Sequence, residues 1–264
     1  MNALLIDAGN SRLKWASLRG GRLGALHSAA WDDSGLPALA ARIAAHAGRP
    51  DSVLVASVAG TAVQRALRRA LRAARLPAPQ FVVSGRQQGG VSNGYRWPEQ
   101  LGVDRWLALL AARAMYPTES VCIVSVGTAL TLDLLEYRGR HLGGAIVPGP
   151  ALMVDSLLNS TAEIRRRAAR GTRPARGPSP RGFFARDTRS AVCAGSLHAA
   201  VALTEYAMSR ALETVSHPPR LLLTGGGARE LQRQLGGREL GIHARRVDNL
   251  VLRGLAVLAQ QESS

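Results

Sequence analysis

The sequence predicts an α/β protein made of two duplicated domains, each with a mixed β-sheet flanked by helices. Three observations point to this class. Apolar runs of strand length alternate with segments of helical periodicity. A strand–glycine–strand pattern occurs twice along the chain. The 264 residues are 46% hydrophobic and 20% charged, which is typical of a globular protein with one large or two modest domains.

The first half of the chain begins with a short apolar run at residues 3–7, which is followed by a glycine turn. This pattern predicts a buried strand, and residues 21–31 are predicted to be its hairpin partner. Pro117 ends the last helix of this half. The predicted elements between these points are a helix at 36–47, a strand at 52–58, an arginine-rich amphipathic helix at 62–76, a strand at 80–84 and a helix at 102–115.

The second half repeats the strand pattern and then turns helical. Two consecutive apolar runs predict strands, and a turn at Arg138-Gly139 leads into a third strand. Three glycines at 225–227 follow the last predicted strand and lead into a helix. The elements are strands at 120–126, 130–137 and 142–147, a helix at 187–215, a strand at 220–223 and a final helix at 249–260.

An internal repeat links the two halves. Residues 6–11 (IDAGNS) match residues 124–129 (VSVGTA), and the glycine hairpin at 18–24 matches 136–143 with one residue inserted. Chance can produce matches this short, but the shared hairpin favours duplication. The predicted boundary near Pro117 separates two domains, residues 1–117 and 118–264.

The net charge of +16 arises from 34 basic and 18 acidic residues, and Lys14 is the single lysine. Such a balance is typical of proteins that bind nucleic acid, acidic surfaces or anionic small molecules. Alanine and arginine are both abundant, so a GC-rich coding sequence is an alternative explanation for part of the charge.

Composition also predicts a cytoplasmic location. No run approaches the roughly 18 consecutive apolar residues of a membrane helix. The N-terminal segment lacks a basic region, and Asp7 interrupts its apolar stretch, so it does not resemble a signal peptide. Cys122 and Cys193 form neither a disulfide framework nor a zinc set, and their apolar neighbours predict buried structural thiols.

Residues 165–181 (RRRAARGTRPARGPSPR) hold seven arginines without apolar periodicity. This composition predicts a solvated surface loop. A nucleic-acid arm would ideally carry interleaved aromatic residues for stacking, and this stretch has none. A loop that contacts the phosphates of a nucleotide is the third interpretation.

The segment after the first strand has the residue types of a phosphate site. Gly9 allows close approach of the backbone to a phosphate, and Asn10, Ser11 and Lys14 can donate hydrogen bonds to it. Asp7 at the strand end can hold Mg²⁺ through water. A tight β-turn capped by Asp7 explains the same residues equally well.

Two further glycine turns add to this signal. Residues 127–129 (GTA) are the repeat-related copy, and residues 224–228 (TGGGA) lead into a helix whose N-terminus favours an anion. One such turn is weak support. Three of them, two related by the repeat, predict a nucleotide held between the duplicated domains.

These motifs together resemble the type III pantothenate kinases, in particular the branch known as Bvg accessory factors, within the superfamily of actin and sugar kinases. The resemblance extends from Asp7 to Leu255 and implies two ribonuclease H-like, actin-like domains. Each motif is modest, and their order and spacing are specific. The motifs are residues 7–14, Tyr95, residues 102–105 (GVDR), 127–133 (GTALTLD), 143–149 (GGAIVPG), 187–188 (DT) and 252–255 (LRGL).

The resemblance implies phosphorylation of the primary hydroxyl of pantothenate by ATP with Mg²⁺, the first step of coenzyme A biosynthesis. It makes Asp104 the general base, which suits a reaction that depends on positioning and on removal of the hydroxyl proton. Arg105 would clamp the pantothenate carboxylate. From the residues alone, Asp104 is explained as a carboxylate that stabilises a helix N-terminus and Arg105 as a solvated cation.

Other roles follow from the resemblance by position. It also implies a homodimer in which the second domain carries the dimer surface. Without the resemblance, Tyr95 is explained as part of an ordinary surface turn and Thr188 as a helix cap. The implied pantothenate contacts are Tyr95, Gly102, Val103 and Thr188. The implied ATP contacts are Thr128 at the phosphates and Gly225, Gly226 and Gly227 on the adenosine side. Asp133 matches a family position with a structural role.

One position departs from the family pattern. The family has an aspartate, a ligand of K⁺ or NH₄⁺, two residues before the Gly-Thr-Ala motif, and this chain has Ser125 there. Ser125 also lies opposite Asp7 in the internal repeat. A hydroxyl supplies only a neutral oxygen, so the site loses a charge. Either a positive side chain replaces the cation or the site binds it more weakly.

Two functions of other classes stay open. The charge of +16 and the arginine-rich stretch suit a nucleic-acid-binding regulator, but no helix-turn-helix, zinc-finger or RNA-binding signature accompanies them, so we expect no nucleic-acid partner. The second open function is that of a protein of the same fold that only binds nucleotide, or of a kinase for another small acid. The presence of Asp7, Asp104 and Arg105 favours an active enzyme.

Overall fold

The computed structural model describes residues 2–9, 12–32, 34–170, 183–236 and 244–261. Contacts divide the chain into two compact units. The first comprises Met1–Pro117, Gly139–His141 and Asn249–Ser264, and the second comprises Thr118–Arg138 and Leu142–Asp248. The C-terminal segment therefore groups with the first unit, whereas the sequence predicted one uninterrupted second domain over residues 118–264.

The described residues form runs of strands and helices. In chain order they are β1 (Asn2–Ala8), β2 (Arg12–Arg19), β3 (Arg22–Leu23), β4 (His27–Ala30), α1 (Leu36–Ala47), β5 (Ser52–Ser57), α2 (Thr61–Ala73), β6 (Pro79–Phe81), β7 (Gln87–Gln88), β8 (Val91–Ser92), α3 (Val103–Met115), β9 (Val121–Val126), β10 (Ala129–Leu135), β11 (His141–Pro148), α4 (Pro150–Ser160), α5 (Ala162–Arg170), α6 (Thr188–Thr214), β12 (Arg220–Thr224), α7 (Ala228–Gly236), β13 (Ala244–Arg246) and α8 (Leu250–Gln261).

The first unit is built on a sheet with the strand order β3-β2-β1-β5-β6, and β4 pairs with β2. β1 pairs antiparallel with β2 and parallel with β5. Because β1 is central and apolar, both of its faces are covered. Leu4, Ile6 and Ala8 on one face join the core under α1 and α2, and α8 contacts β1 and β5.

The second unit contains a sheet with the strand order β11-β10-β9-β12-β13. β9 pairs antiparallel with β10 and parallel with β12. Leu130 and Leu132 of β10 pack with Val124 and Leu223 in its core, which also includes residues of α6 and α7. The two sheets thus share one strand order and the same pairing directions around their central strands. This agreement confirms the predicted α/β class with mixed sheets and fits a duplicated origin.

Three expectations for local structure were wrong. Residues 21–31 were expected to pair with the first strand, but β4 pairs with β2, and β2 itself forms the hairpin with β1. The expected loop at 165–181 begins as helix α5, because Glu163 forms ion pairs with Arg166 and Arg167 one turn further along. The rest of that stretch lies outside the described residues. Cys193 is half-buried rather than buried.

Candidate functional site

The end of strand β1 carries a pair of opposite charges. Asp7 and Lys14 are direct partners in the antiparallel register of β1 and β2, so their side chains share one face of the sheet. The Lys14 Nζ lies 3.8 Å from the Asp7 Oδ2. The structure therefore brings together the acidic and basic members of the predicted phosphate loop.

The surroundings of Asp7 disfavour the ionised form of its carboxyl group. Burial raises the pKa of its carboxyl from the ordinary value of 3.8 to about 6. The positive charge of Lys14 opposes this rise, and the negative charge of Asp104 adds to it. Asp104 is thus close enough to Asp7 for the two carboxylates to interact electrostatically.

The turn after β1 is tight and braced. The Gly9 amide donates to the carbonyl oxygen of Arg12 at 3.1 Å. The indole Nε1 of Trp31 donates to the Gly9 carbonyl oxygen at 2.9 Å. Asn10 and Ser11, the other expected phosphate ligands of this loop, lie outside the described residues.

The start of helix α3 presents the expected base. Asp104 lies in the first turn and is half-buried. A Cβ atom at Gly102 would lie 2.6 Å from the Asp104 Oδ1, so the aspartate can occupy this position only because residue 102 is glycine. The Asp104 Oδ1 also accepts the backbone N–H of Arg105 at 2.9 Å. Val103 is buried beside it.

Arg105 is a buried cation joined to the Tyr95 loop. Arg105 is only 4% exposed. Its Nη1 donates to the Tyr95 Oη at 2.8 Å. The guanidinium carbon lies 5.5 Å from the centre of the Tyr95 ring. The alternatives considered from sequence, a solvated Arg105 and an ordinary surface turn at Tyr95, do not describe this arrangement.

In the second unit, Ser125 occupies the position equivalent to Asp7, the last but one residue of its strand. The neighbouring strands place Thr131 and Thr224 directly beside it. Three hydroxyl side chains therefore form a row across β10, β9 and β12 on one face of the sheet. Thr128 follows in the turn, where its carbonyl oxygen accepts the Gly149 amide at 2.8 Å.

The glycine turn after β12 packs against the end of β9. Gly225 has a φ of +91°, and a Cβ atom there would collide with the backbone of Val126. The Gly227 amide donates to the Val126 carbonyl oxygen at 3.0 Å. Gly226, between them, has open space where a Cβ would stand. The structure therefore brings this turn and the Gly127-Thr128 turn to one edge of the second sheet.

Thr188 lies at the start of a helix and Asp133 lies within a strand. Thr188 is the first residue of α6, and the side chain that caps this helix belongs to Asp187, which accepts the Ser190 amide at 2.9 Å. Hydrogen bonds from the Ser190 amide and the Ser190 side chain lower the pKa of the Asp187 carboxyl. Asp133 is buried in β10. Thr188 is thus not the cap.

Sequence analysis gave no role to three residues that adjoin these sites. Thr131 and Thr224 flank Ser125; they stand within the segments 127–133 and 224–228, but their position beside Ser125 was not predicted. His141 stacks on Tyr95 in the first unit, with ring centres 5.8 Å apart. No local pattern points to His141, because its partner is distant in sequence.

The described residues contain no group of three or more His, Cys, Asp or Glu side chains arranged to hold a metal ion. None of the described helices has both the length and the apolar character required to cross a membrane.

Comparison with known sequences gives one family. The profile of the type III pantothenate kinases matches residues 3–210. A type III pantothenate kinase of Nitrosococcus oceani is 35% identical over 264 residues, covering 98% of this chain and 94% of that protein. The enzyme of Halorhodospira halophila is 40% identical over 237 residues, covering 86% and 88%, and that of Burkholderia cenocepacia is 39% identical over 264 residues, covering 97% and 94%.

Comparison with solved structures supports the fold. A glucokinase of the ROK family from Streptomyces griseus, solved with glucose and AMPPNP, matches with a TM-score of 0.52 at 13% identity over 99% of this chain and 100% of that one. The activator of 2-hydroxyisocaproyl-CoA dehydratase from Clostridium difficile, solved with ADPNP, also gives 0.52, at 12% identity over 100% and 97%. At these identities the likeness concerns the fold alone.

Proposed function

The chain belongs to the type III pantothenate kinase family, and we propose that Asp104 is the general base of its reaction. The enzyme transfers a phosphoryl group from ATP to pantothenate, a step of coenzyme A biosynthesis. The observation that carries the proposal is the close approach of the Asp104 carboxylate to Gly102, where any larger residue would displace it.

Asp104 has the chemistry that the reaction needs. Phosphoryl transfer depends mainly on positioning and on stabilisation of charge, and the attacking hydroxyl must lose its proton. Asp104 takes that proton as the new P–O bond forms and the bond to the departing ADP oxygen breaks. The Arg105 amide, 2.9 Å from Oδ1, holds the carboxylate in place.

Arg105 binds the carboxylate of pantothenate. Its buried guanidinium presents a planar set of donors that suits a carboxylate, and the Tyr95 hydroxyl fixes one of its N–H groups. Gly102 and Val103 line the same site. The family resemblance assigns Thr188 a contact with pantothenate. Anchoring the acid end of the substrate brings its hydroxyl end to Asp104.

Asp7, Gly9 and Lys14 form the phosphate site of the first unit. A single buried carboxylate fits a Mg²⁺ ion that keeps most of its water ligands. Bound Mg²⁺ neutralises charge on the ATP phosphates. Lys14 supplies a positive charge beside Asp7, 3.8 Å away. In the second unit, Thr128 contacts phosphate, and Gly225 and Gly226 approach the adenosine.

At the position where the family holds a monovalent cation, this enzyme offers neutral ligands. Ser125, Thr131 and Thr224 offer three hydroxyl oxygens in one row and no carboxylate. Neutral oxygens can ligate K⁺ or NH₄⁺, but without a negative charge they hold it weakly. Because these three residues carry no negative charge that a cation must neutralise, we expect turnover with little dependence on added K⁺ or NH₄⁺.

The enzyme is a cytoplasmic homodimer without a nucleic-acid partner. Helix α4 has an apolar sequence, yet none of its residues is buried. Leu152 and Leu157 of α4 and Val192 of α6 line an open apolar groove of about 740 Å³. A second copy of the chain covers this surface.

Substitution of Asp104 by Asn tests the base directly. Because Asn keeps the shape but cannot accept the proton, kcat should fall by about 10²–10⁴-fold, with the KM for ATP and the melting temperature little changed. Glu99→Gln is the matched control, since it removes one exposed negative charge from the turn just before α3. Retention of more than a tenth of kcat in Asp104→Asn would remove Asp104 from the role of base.

A further inference from the structure

His141 is an ionisable residue in an unusually enclosed position. It is 1% exposed and belongs to the first unit. Its ring lies nearly parallel to that of Tyr95, with an interplanar angle of 15° and centres 5.8 Å apart. This is an offset stack, the favourable geometry for two aromatic rings.

Tyr95 in turn joins His141 to the substrate site. Its hydroxyl accepts the Arg105 Nη1 at 2.8 Å, and the guanidinium lies beside its ring. A swing of the Tyr95 side chain about its Cα–Cβ bond would move Oη and break this hydrogen bond. The position of the Tyr95 ring is therefore one factor that orients Arg105.

The backbone of the Tyr95 loop is fixed separately. The Asn93 side chain accepts the Tyr95 amide at 3.0 Å and donates to the carbonyl oxygens of Gly85 and Pro98. These bonds position the backbone of Tyr95 but leave its ring to side-chain contacts. His141 supplies the stacking contact that restricts the ring.

The segment that carries His141 is held against strand β8. The Ser92 amide donates to the Gly139 carbonyl oxygen at 2.9 Å, and Ser92 forms a parallel bridge with Arg140. His141 follows directly. Strand β8, the Tyr95 loop and the segment 139–141 thus form one connected support for Arg105.

We propose that His141 is a positioning residue for recognition of the substrate carboxylate, acting through the stacked Tyr95 ring on the Arg105 guanidinium. The inference rests on the proposed function, because it concerns how the acid end of pantothenate is held. It predicts that His141 influences discrimination between a substrate with a carboxylate and the same molecule without one.

The test compares pantothenate with pantothenyl alcohol, in which a hydroxymethyl group replaces the carboxylate. His141→Leu fills the space without stacking, so it should raise the KM for pantothenate by about 3- to 10-fold. The kcat and the KM for the alcohol should change by less than twofold. His141→Phe restores the stack and should return the KM for pantothenate to near the wild-type value.

Two further variants separate positioning from packing. Tyr95→Phe keeps the ring but removes the bond to Arg105, so adding His141→Leu to it should have little further effect on the KM for pantothenate. His27→Leu is the matched control, since His27 stacks on Trp15 at 5.4 Å in the same unit. Its KM for pantothenate should not change.

Equal losses for both substrates in His141→Leu, additivity with Tyr95→Phe, or no loss at all would overturn the inference. These results differ from a failure of the proposed function, in which the wild-type protein would phosphorylate neither substrate. That outcome would overturn both the inference and the proposed function, since no substrate carboxylate would then need to be held.

Discussion

Asp7 lowers the stability of the protein at neutral pH. Its pKa is raised by burial from 3.8 to about 6. At about 1.4 kcal/mol per pKa unit, this difference corresponds to about 3 kcal/mol. Because the folded-state pKa lies above the unfolded value, the stabilising contribution is complete below pH 4 and is lost as the pH rises through 6.

The substitution Asp7→Asn keeps a neutral side chain of similar size at every pH. We expect the free energy of unfolding of this variant to match that of the wild type near pH 4 and to exceed it by about 3 kcal/mol at pH 7.5. Activity should be lost, because Asp7 lies at the phosphate site. The stability gained would identify Asp7 as a residue retained for function.

Urea unfolding at a series of pH values, in the presence of a chelator and without nucleotide, measures this difference. Glu99→Gln is the control, because it removes an exposed carboxylate from the same unit. Parallel curves of stability against pH for the wild type and Asp7→Asn would refute the reasoning, since they would show that the folded protein does not disfavour the charged form of Asp7.

Three further predictions concern other parts of the enzyme. Gly102→Ala should lower kcat by about 10²-fold without loss of stability, because the added Cβ displaces the Asp104 carboxylate; unchanged steady-state rates would contradict this. Ser125→Asp should make turnover depend on K⁺, since it adds a negative charge between two hydroxyls; rates that ignore K⁺ would count against a cation site here. Leu152→Asp should convert the homodimer to a monomer in sedimentation experiments, and a persistent dimer would place the interface elsewhere.

The regular elements with a buried face were predictable from sequence. Helix α1 was expected at residues 36–47 and begins and ends there, because its apolar residues recur on the side that faces the core. Helix α4 was missed, since its apolar residues are not on a buried face and show no helical pattern. Helix α5 was missed because ion pairs between neighbouring turns, as at Glu163, are a weak local signal.

The candidate site was predictable only where a motif is contiguous. The segment 102–105 held both Asp104 and Arg105, and the structure adds that the missing side chain of Gly102 makes room for the carboxylate. The row formed by Ser125, Thr131 and Thr224 depends on strand register, which no local pattern encodes. The stack of His141 on Tyr95 depends on tertiary structure in the same way.

The central claim is that this protein is a pantothenate kinase. The most direct measurement is the formation of ADP and phosphorylated pantothenate by the purified full-length protein with ATP and Mg²⁺, with and without K⁺ or NH₄⁺. We predict that both products form in equal amounts, that their formation requires pantothenate, and that the cations change the amounts little. ADP release that is the same without pantothenate, or no product under any cation, would contradict it.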